Sequence, residues 1–93
     1  MLLTCIQHDV LNKVAAKTKM DCWFSIKIVA GEDMVYDLEE NKVMSLRDGI
    51  DLLLDGLDSI SDRSDFMHTC GLSLEEAVVF QELTARLGLS CPF

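Results

Sequence analysis

Between Leu46 and Ile60 the apolar residues Leu46, Ile50, Leu53, Leu57 and Ile60 recur at spacings of 4, 3, 4 and 3. That is the period of an α-helix with one face in a core, and a seam so regular must be covered by the rest of the chain. A second regularity shares the segment. Asp48, Asp51, Asp55, Asp58, Asp62 and Asp65 follow one another at spacings of 3, 4, 3, 4 and 3. On a helix this ladder lies roughly 140° round from the apolar seam, so the two patterns together predict a single amphipathic helix. Ser45-Leu46-Arg47-Asp48 opens it as S-x-x-D, with Leu54 beside the seam. The ladder opposes local stability, because aspartate is a poor helix former and like charges at i,i+4 repel by ~0.2–0.5 kcal/mol per pair. Gly49 and Gly56 weaken the helix by a further ~1 kcal/mol each relative to alanine, which points to a neighbour packed close against it. Ser59-Ile60-Ser61 marks a fraying point that would release Asp62 and Asp65 from the helix.

The same period logic assigns the flanking elements. Thr4-Cys5-Ile6-Gln7 has the form of a capping box, and Ile6, Val10, Leu11 and Val14 continue at helical spacing, predicting a first helix over 4–18. The period then drops to two: Cys22, Phe24, Ile26 and Ile28 alternate with Trp23, Ser25, Lys27 and Val29, which predicts a strand over 22–29. Gly31-Glu32-Asp33 reads as a turn, Met34–Leu38 as a second strand, Glu39-Glu40-Asn41 as another turn and Lys42–Met44 as a short third strand. After the aspartate-bearing helix, Ser64–Met67 predicts one short helical turn ending at Gly71. Ser73-Leu74-Glu75-Glu76 is a full capping box for a helix over 73–87, and Leu89–Phe93 a strap packed back on it. The expected fold is a single α+β domain, 1–93, in the order α-β-β-(β)-α-α: a two- or three-stranded antiparallel meander with about three helices on one face.

Charge narrows the function classes. The net charge of −8 is carried by residues 31–65, with eleven acids against Lys42, Arg47 and Arg63, while residues 1–30 net +2 and 66–93 net −2. Direct contact with nucleic acid or an anionic membrane is not expected of such a surface. The helix–meander–helix order is similar to that of double-stranded RNA-binding domains, but Asp48, Asp51 and Asp55 stand where those domains need lysines. No apolar run reaches 18 residues, and the start MLLTCIQHDV has neither a basic n-region nor a cleavage site, so no membrane span or signal peptide is expected. Cys5, Cys22, Cys70 and Cys91 lie far apart without a CxxC, which reads as free thiols in a cytoplasmic protein.

Catalytic motifs are sparse. The D-x-x-D pairs lack the phosphate loop and basic residue that accompany magnesium chemistry, and 58–65 fails as a calcium loop because Ile60 takes its third position. Cys5, His8, His68 and Cys70 form the ligand set of a zinc site, but His68-x-Cys70 is shorter than usual knuckle spacings. The reading preferred is that Cys5 packs as a small hydrophobe, His8 is exposed and Cys70 packs beneath the Gly71 turn. A Cys–His nucleophilic pair finds no third, orienting group. Trp23 falls on the outward strand register and is read as second-layer packing rather than a partner contact.

The expectation from sequence is therefore a non-enzymatic acidic interaction module with no cofactor. Its binding face comprises Asp48, Asp51, Asp55, Asp58, Asp62, Asp65, Asp37, Glu39 and Glu40, and its partner is a basic protein surface, as for an inhibitor or nucleic-acid-mimicking adaptor. Mimicry is tempered by spacing: the ladder offers one charge per ~5 Å of helix, against one per ~3.4 Å for a DNA strand. Two alternatives stand beside it, a small Cys/His metal-binding or thiol-dependent protein and a structural homodimer whose acidity serves solubility. The apolar circumference of the helix over 73–87, with Val78, Val79, Phe80, Leu83 and Leu87, makes that helix the dimer contact.

Overall fold

The drop from helical to alternating period in the twenties is realised as a helix–hairpin junction. The computed structural model describes all 93 residues, in the order α1 (Cys5–Lys17), β1 (Phe24–Val29), β2 (Glu32–Asp37), β3 (Lys42–Met44), α2 (Leu46–Asp55), α3 (Arg63–Cys70) and α4 (Leu74–Arg86). The fold is α+β, with a three-stranded antiparallel sheet in the order β1-β2-β3. Helix α1 starts on the Thr4 capping box and ends where Lys19 turns left-handed (φ 60°). There the Met20 N–H donates to the Ala15 carbonyl at 2.8 Å and the Lys19 N–H to Ala16 at 3.2 Å, closing the last carbonyls of the helix.

β1 begins two residues later than the alternation predicts. Residues 21–23 form a turn in which the Trp23 and Phe24 N–H groups donate to the Met20 carbonyl at 3.1 and 2.9 Å. Trp23 therefore lies outside the strand, not on its outward register. The β1–β2 connection also shifts: its centre is Ala30-Gly31, with φ of 52° and 79°, a two-residue hairpin turn of the primed kind. That turn pairs Val29 with Glu32 and Ile28 with Asp33, so β2 starts at Glu32 and the expected turn residues Glu32 and Asp33 are ladder residues. The one-residue change matters because side chains alternate faces. Phe24, Val35, Asp33 and Asp37 point into the molecule and are buried, while Lys27, Val29 and Val43 stand on the open outer face.

The long amphipathic helix is the principal correction. α2 ends at Asp55, and residues 56–59 are turns. Three short-range bonds follow, Gly56 N–H to Leu53 O at 3.0 Å, Leu57 N–H to Leu54 O at 2.9 Å and Ile60 N–H to Leu57 O at 3.1 Å. Tight turns of this period keep Leu57 and Ile60 on the core side, so both stay buried without a helix. The single turn expected after Ser64 is an eight-residue helix, α3, closed by Gly71 in the left-handed conformation (φ 65°). The chain thus has four helices rather than about three.

Helix α2 lies across the inner face of the sheet. A Cβ on Gly49 would overlap the Val35 side chain, so this glycine sets how closely α2 approaches β2, as its cost to the helix suggested. Helices α1, α3 and α4 pack together around Val10, Leu11, Val14, Phe66, Phe80 and Leu83. The 89–93 strap does fold back: Phe93 sits 4.5 Å from the Phe66 ring, and the Gln81 amide donates to the Phe93 carbonyl at 2.9 Å. Val79 and Leu87 pack against the core, and Leu74 is the large apolar residue of α4 that remains exposed. Much of the apolar circumference attributed to a second chain is therefore covered by the chain itself.

Candidate interaction surface

The end of α2 at Asp55 divides the aspartate ladder into groups with different work. Asp48, Asp51 and Asp55 share one exposed face of α2, and Asp58 is exposed in the turn beyond it. Asp62 caps α3, its Oδ1 accepting the Asp65 N–H at 2.8 Å. Asp65 in turn accepts the Ser61 N–H at 3.1 Å and the Thr69 hydroxyl at 3.4 Å. These two carboxylates hold the start of a helix, where negative charge is favoured.

The acids of the β2–β3 turn separate in the same way. Asp37 is buried, 9% exposed, and its Oδ1 accepts the N–H groups of Glu39 at 2.9 Å and Glu40 at 3.0 Å, building the turn by side-chain mimicry of a backbone bond. Glu39 and Glu40 are exposed. Glu40 pairs with Lys42 at 2.7 Å, which raises the Lys42 ammonium above its usual range, chiefly through that hydrogen bond. Glu39 accepts the Cys22 thiol at 3.5 Å. Partial desolvation and then this bond push the Cys22 thiol up.

These groups border a continuous trough along α2. One hollow of about 370 Å³ is lined by Met20, Trp23, Leu52, Asp37, Glu39 and Glu40. Leu52 also borders a second hollow with Lys42, Asp48 and Asp51, between α2 and β3. Asp51 in turn borders a third with Asp55, Asp58 and Pro92. Leu52 and Asp51 are thus the shared walls of a groove lined by seven carboxylates, counting Asp37, Glu39 and Glu40. Ion pairs within the chain join Met1 to Glu32, His8 to Asp33, Lys13 to Glu76 and Lys42 to Glu40. None of them reaches Asp48, Asp51, Asp55 or Asp58.

Cys5, His8, His68 and Cys70 are not brought together: no three His, Cys, Asp or Glu side chains are placed to share a metal ion. Cys5 and His68 are exposed on α1 and α3, and Cys70 is buried at the end of α3. Burial pushes the Cys70 and Cys91 thiols up, with Lys17 opposing the shift at Cys70.

Asp33 is the group that sequence reasoning missed. Its side chain is 2% exposed, with His8 Nε2 3.6 Å from Oδ1 and the Leu3 N–H donating to Oδ2 at 2.6 Å. Oδ1 has no hydrogen-bond partner. Asp33 holds the segment before α1 against β2, since the Asp33 N–H also donates to the Met1 carbonyl at 3.0 Å. The available signal was Ala30-Gly31 as a hairpin turn, which puts Asp33 on the inward register.

No protein-family model, no curated protein and no solved structure matches this chain.

Proposed function

We propose that the protein is a non-enzymatic interaction module whose acidic trough along α2 binds a basic surface of another protein. The observation that carries this reading is that no ion pair within the chain engages Asp48, Asp51, Asp55 or Asp58; Lys42 lines the hollow of Asp48 and Asp51, but its ammonium is held by Glu40. Four carboxylates held near one another with no cation paired to them raise the local potential, and a cationic partner relieves it. Their placement costs stability: Asp51 and Asp55 repel at i,i+4, and Asp55 stands in the last turn of α2, where the helix dipole disfavours negative charge by ~0.3–1 kcal/mol. A merely soluble surface has no need of acids at that position.

Only three of the six ladder aspartates lie on α2, so the proposal is recognition of a basic protein patch, as by an inhibitor or adaptor, and not imitation of a duplex. Thiol or zinc chemistry has less support, because Cys22, Cys70 and Cys91 all hold their protons more tightly than an ordinary cysteine. Four unpaired cysteines suit a reducing compartment, and we place its action in the cytoplasm.

Replacing Asp48, Asp51, Asp55 and Asp58 together by Asn tests the reading. The variant is expected to fold with unchanged or higher thermal stability and to lose a partner that the wild type retains from a host extract and releases with salt. Retention of every such partner at wild-type strength would overturn the proposal.

A further inference from the structure

The trough carries acids along its whole length, with Lys42 at its middle hollow, and its end beside Trp23 combines charge with an apolar floor. Met20, Trp23 and Leu52 form that floor, with Leu52 43% exposed, and Asp37, Glu39 and Glu40 form the rim. Asp37 is the informative member. It is more than nine-tenths buried, its Oδ1 is committed to two backbone N–H groups, and Oδ2 accepts no hydrogen bond from the chain. Asp33 Oδ1 is the only fully buried side-chain oxygen without a partner, so Asp37 Oδ2 is reached by solvent, and a ligand donor there replaces water. No lysine or arginine of the chain lines the hollow; Lys42 holds Glu40 from outside it.

We propose that this hollow seats one arginine side chain of the basic partner, its guanidinium lying along the Trp23 indole and donating to Asp37 and Glu39. The inference rests on the basic-partner reading and names the residue that anchors it. Arginine fits where lysine does not. Its guanidinium is flat, weakly hydrated and able to stack on an aromatic face while its edge donates to carboxylates, whereas an ammonium is a strongly hydrated point charge. The hollow of about 370 Å³ has room for about a dozen waters at ~30 Å³ each, enough for one long side chain and the waters at its rim. A single indole, with Phe24 buried beneath it, makes a stacking shelf and not the multi-walled aromatic cage that suits quaternary ammonium groups.

Three acetylated, amidated peptides test this against the intact protein at physiological salt: (Gly-Arg)3, (Gly-Lys)3 and the same peptide with citrulline, which keeps the planar shape without the charge. Trp23 is the only tryptophan, so its fluorescence and indole N–H resonance report the hollow alone, while the amides of Asp48 and Asp51 report α2. The arginine peptide is expected to shift the indole signal and bind about 2- to 5-fold more tightly than the lysine peptide. Citrulline is expected to leave the indole unmoved. Trp23→Leu is expected to erase the preference for arginine while the α2 amides still respond. If that variant fails to fold, the comparison of the three peptides on the wild type decides alone. Movement of the α2 amides with the indole unmoved, or equal indole shifts from arginine and lysine, would overturn the arginine seat and leave the basic-partner reading standing. No response at either place would overturn both.

Discussion

At the scale of single residues, the positions that decide this structure are those where a side chain is small or constrained. Gly49 lets α2 rest on Val35. In an isolated helix Gly49→Ala would add about 1 kcal/mol of stability, but here the new methyl meets a buried β-branched side chain with no room to withdraw. Overpacking of this kind costs ~1–3 kcal/mol, so the variant is expected to be less stable, by roughly 1 kcal/mol or more, in urea unfolding. A gain in stability would mean that α2 can lift from the sheet freely. Asp33 and Asp37 show the opposite case: Asp33 was expected in a solvated turn and Asp37 on the binding face, and their register turns both inward. Neither was legible as buried. A shift of one residue in the turn exchanges the two faces of a strand, and composition carries no trace of that exchange.

At the scale of elements, caps were the most legible feature. Thr4, Ser45 and Ser73 all cap helices as their motifs imply, because the capping hydrogen bonds are local in the chain. The end of α2 was less legible: Leu57 and Ile60 keep helical spacing, yet tight turns serve their burial equally well. The aspartate ladder looked continuous for the same reason. Contacts between elements bring their own pH dependence. Lys13 on α1 donates to Glu76 on α4 at 2.6 Å, and this bond, followed by the Ser73 backbone N–H, holds the Glu76 carboxyl below the usual range. A carboxyl depressed in the folded state stabilises it above the unfolded-state value, and that contribution is lost as pH falls through the folded value. Glu76→Gln, which can still complete the cap, is expected to lower the melting temperature at neutral pH. The difference from wild type should shrink between about pH 5 and pH 3. A constant offset across that range would show that the pair contributes nothing titratable.

At the scale of the whole molecule, the class of fold was legible and the arrangement of charge was not. Period and caps placed a meander between helices, and the chain has that order. The acidic surface needed three dimensions. Trp23 leaves the strand, the β2–β3 turn comes beside α2, and Leu52 joins the two into one trough. None of these is a matter of sequence spacing, since residues 23, 39 and 52 meet only after the sheet and helix have docked.

The two-residue turn at Ala30-Gly31 sets a schedule as well as a register. Each strand pairs only with its neighbour in the chain, so the sheet closes through short loops at little entropic cost, the kind of contact that forms early. Val35 must be in register before Gly49 has a surface to settle on, which makes the hairpin a natural nucleus for the docking of α2. Ala30 is the strained point of that hairpin, an alanine at φ 52° where asparagine is at ease. Ala30→Asn is therefore expected to stabilise the protein by about 1 kcal/mol and to express most of that gain as faster refolding in stopped-flow experiments, with unfolding little changed. If the gain appears only as slower unfolding, the hairpin forms after the rate-limiting step and the helices assemble first.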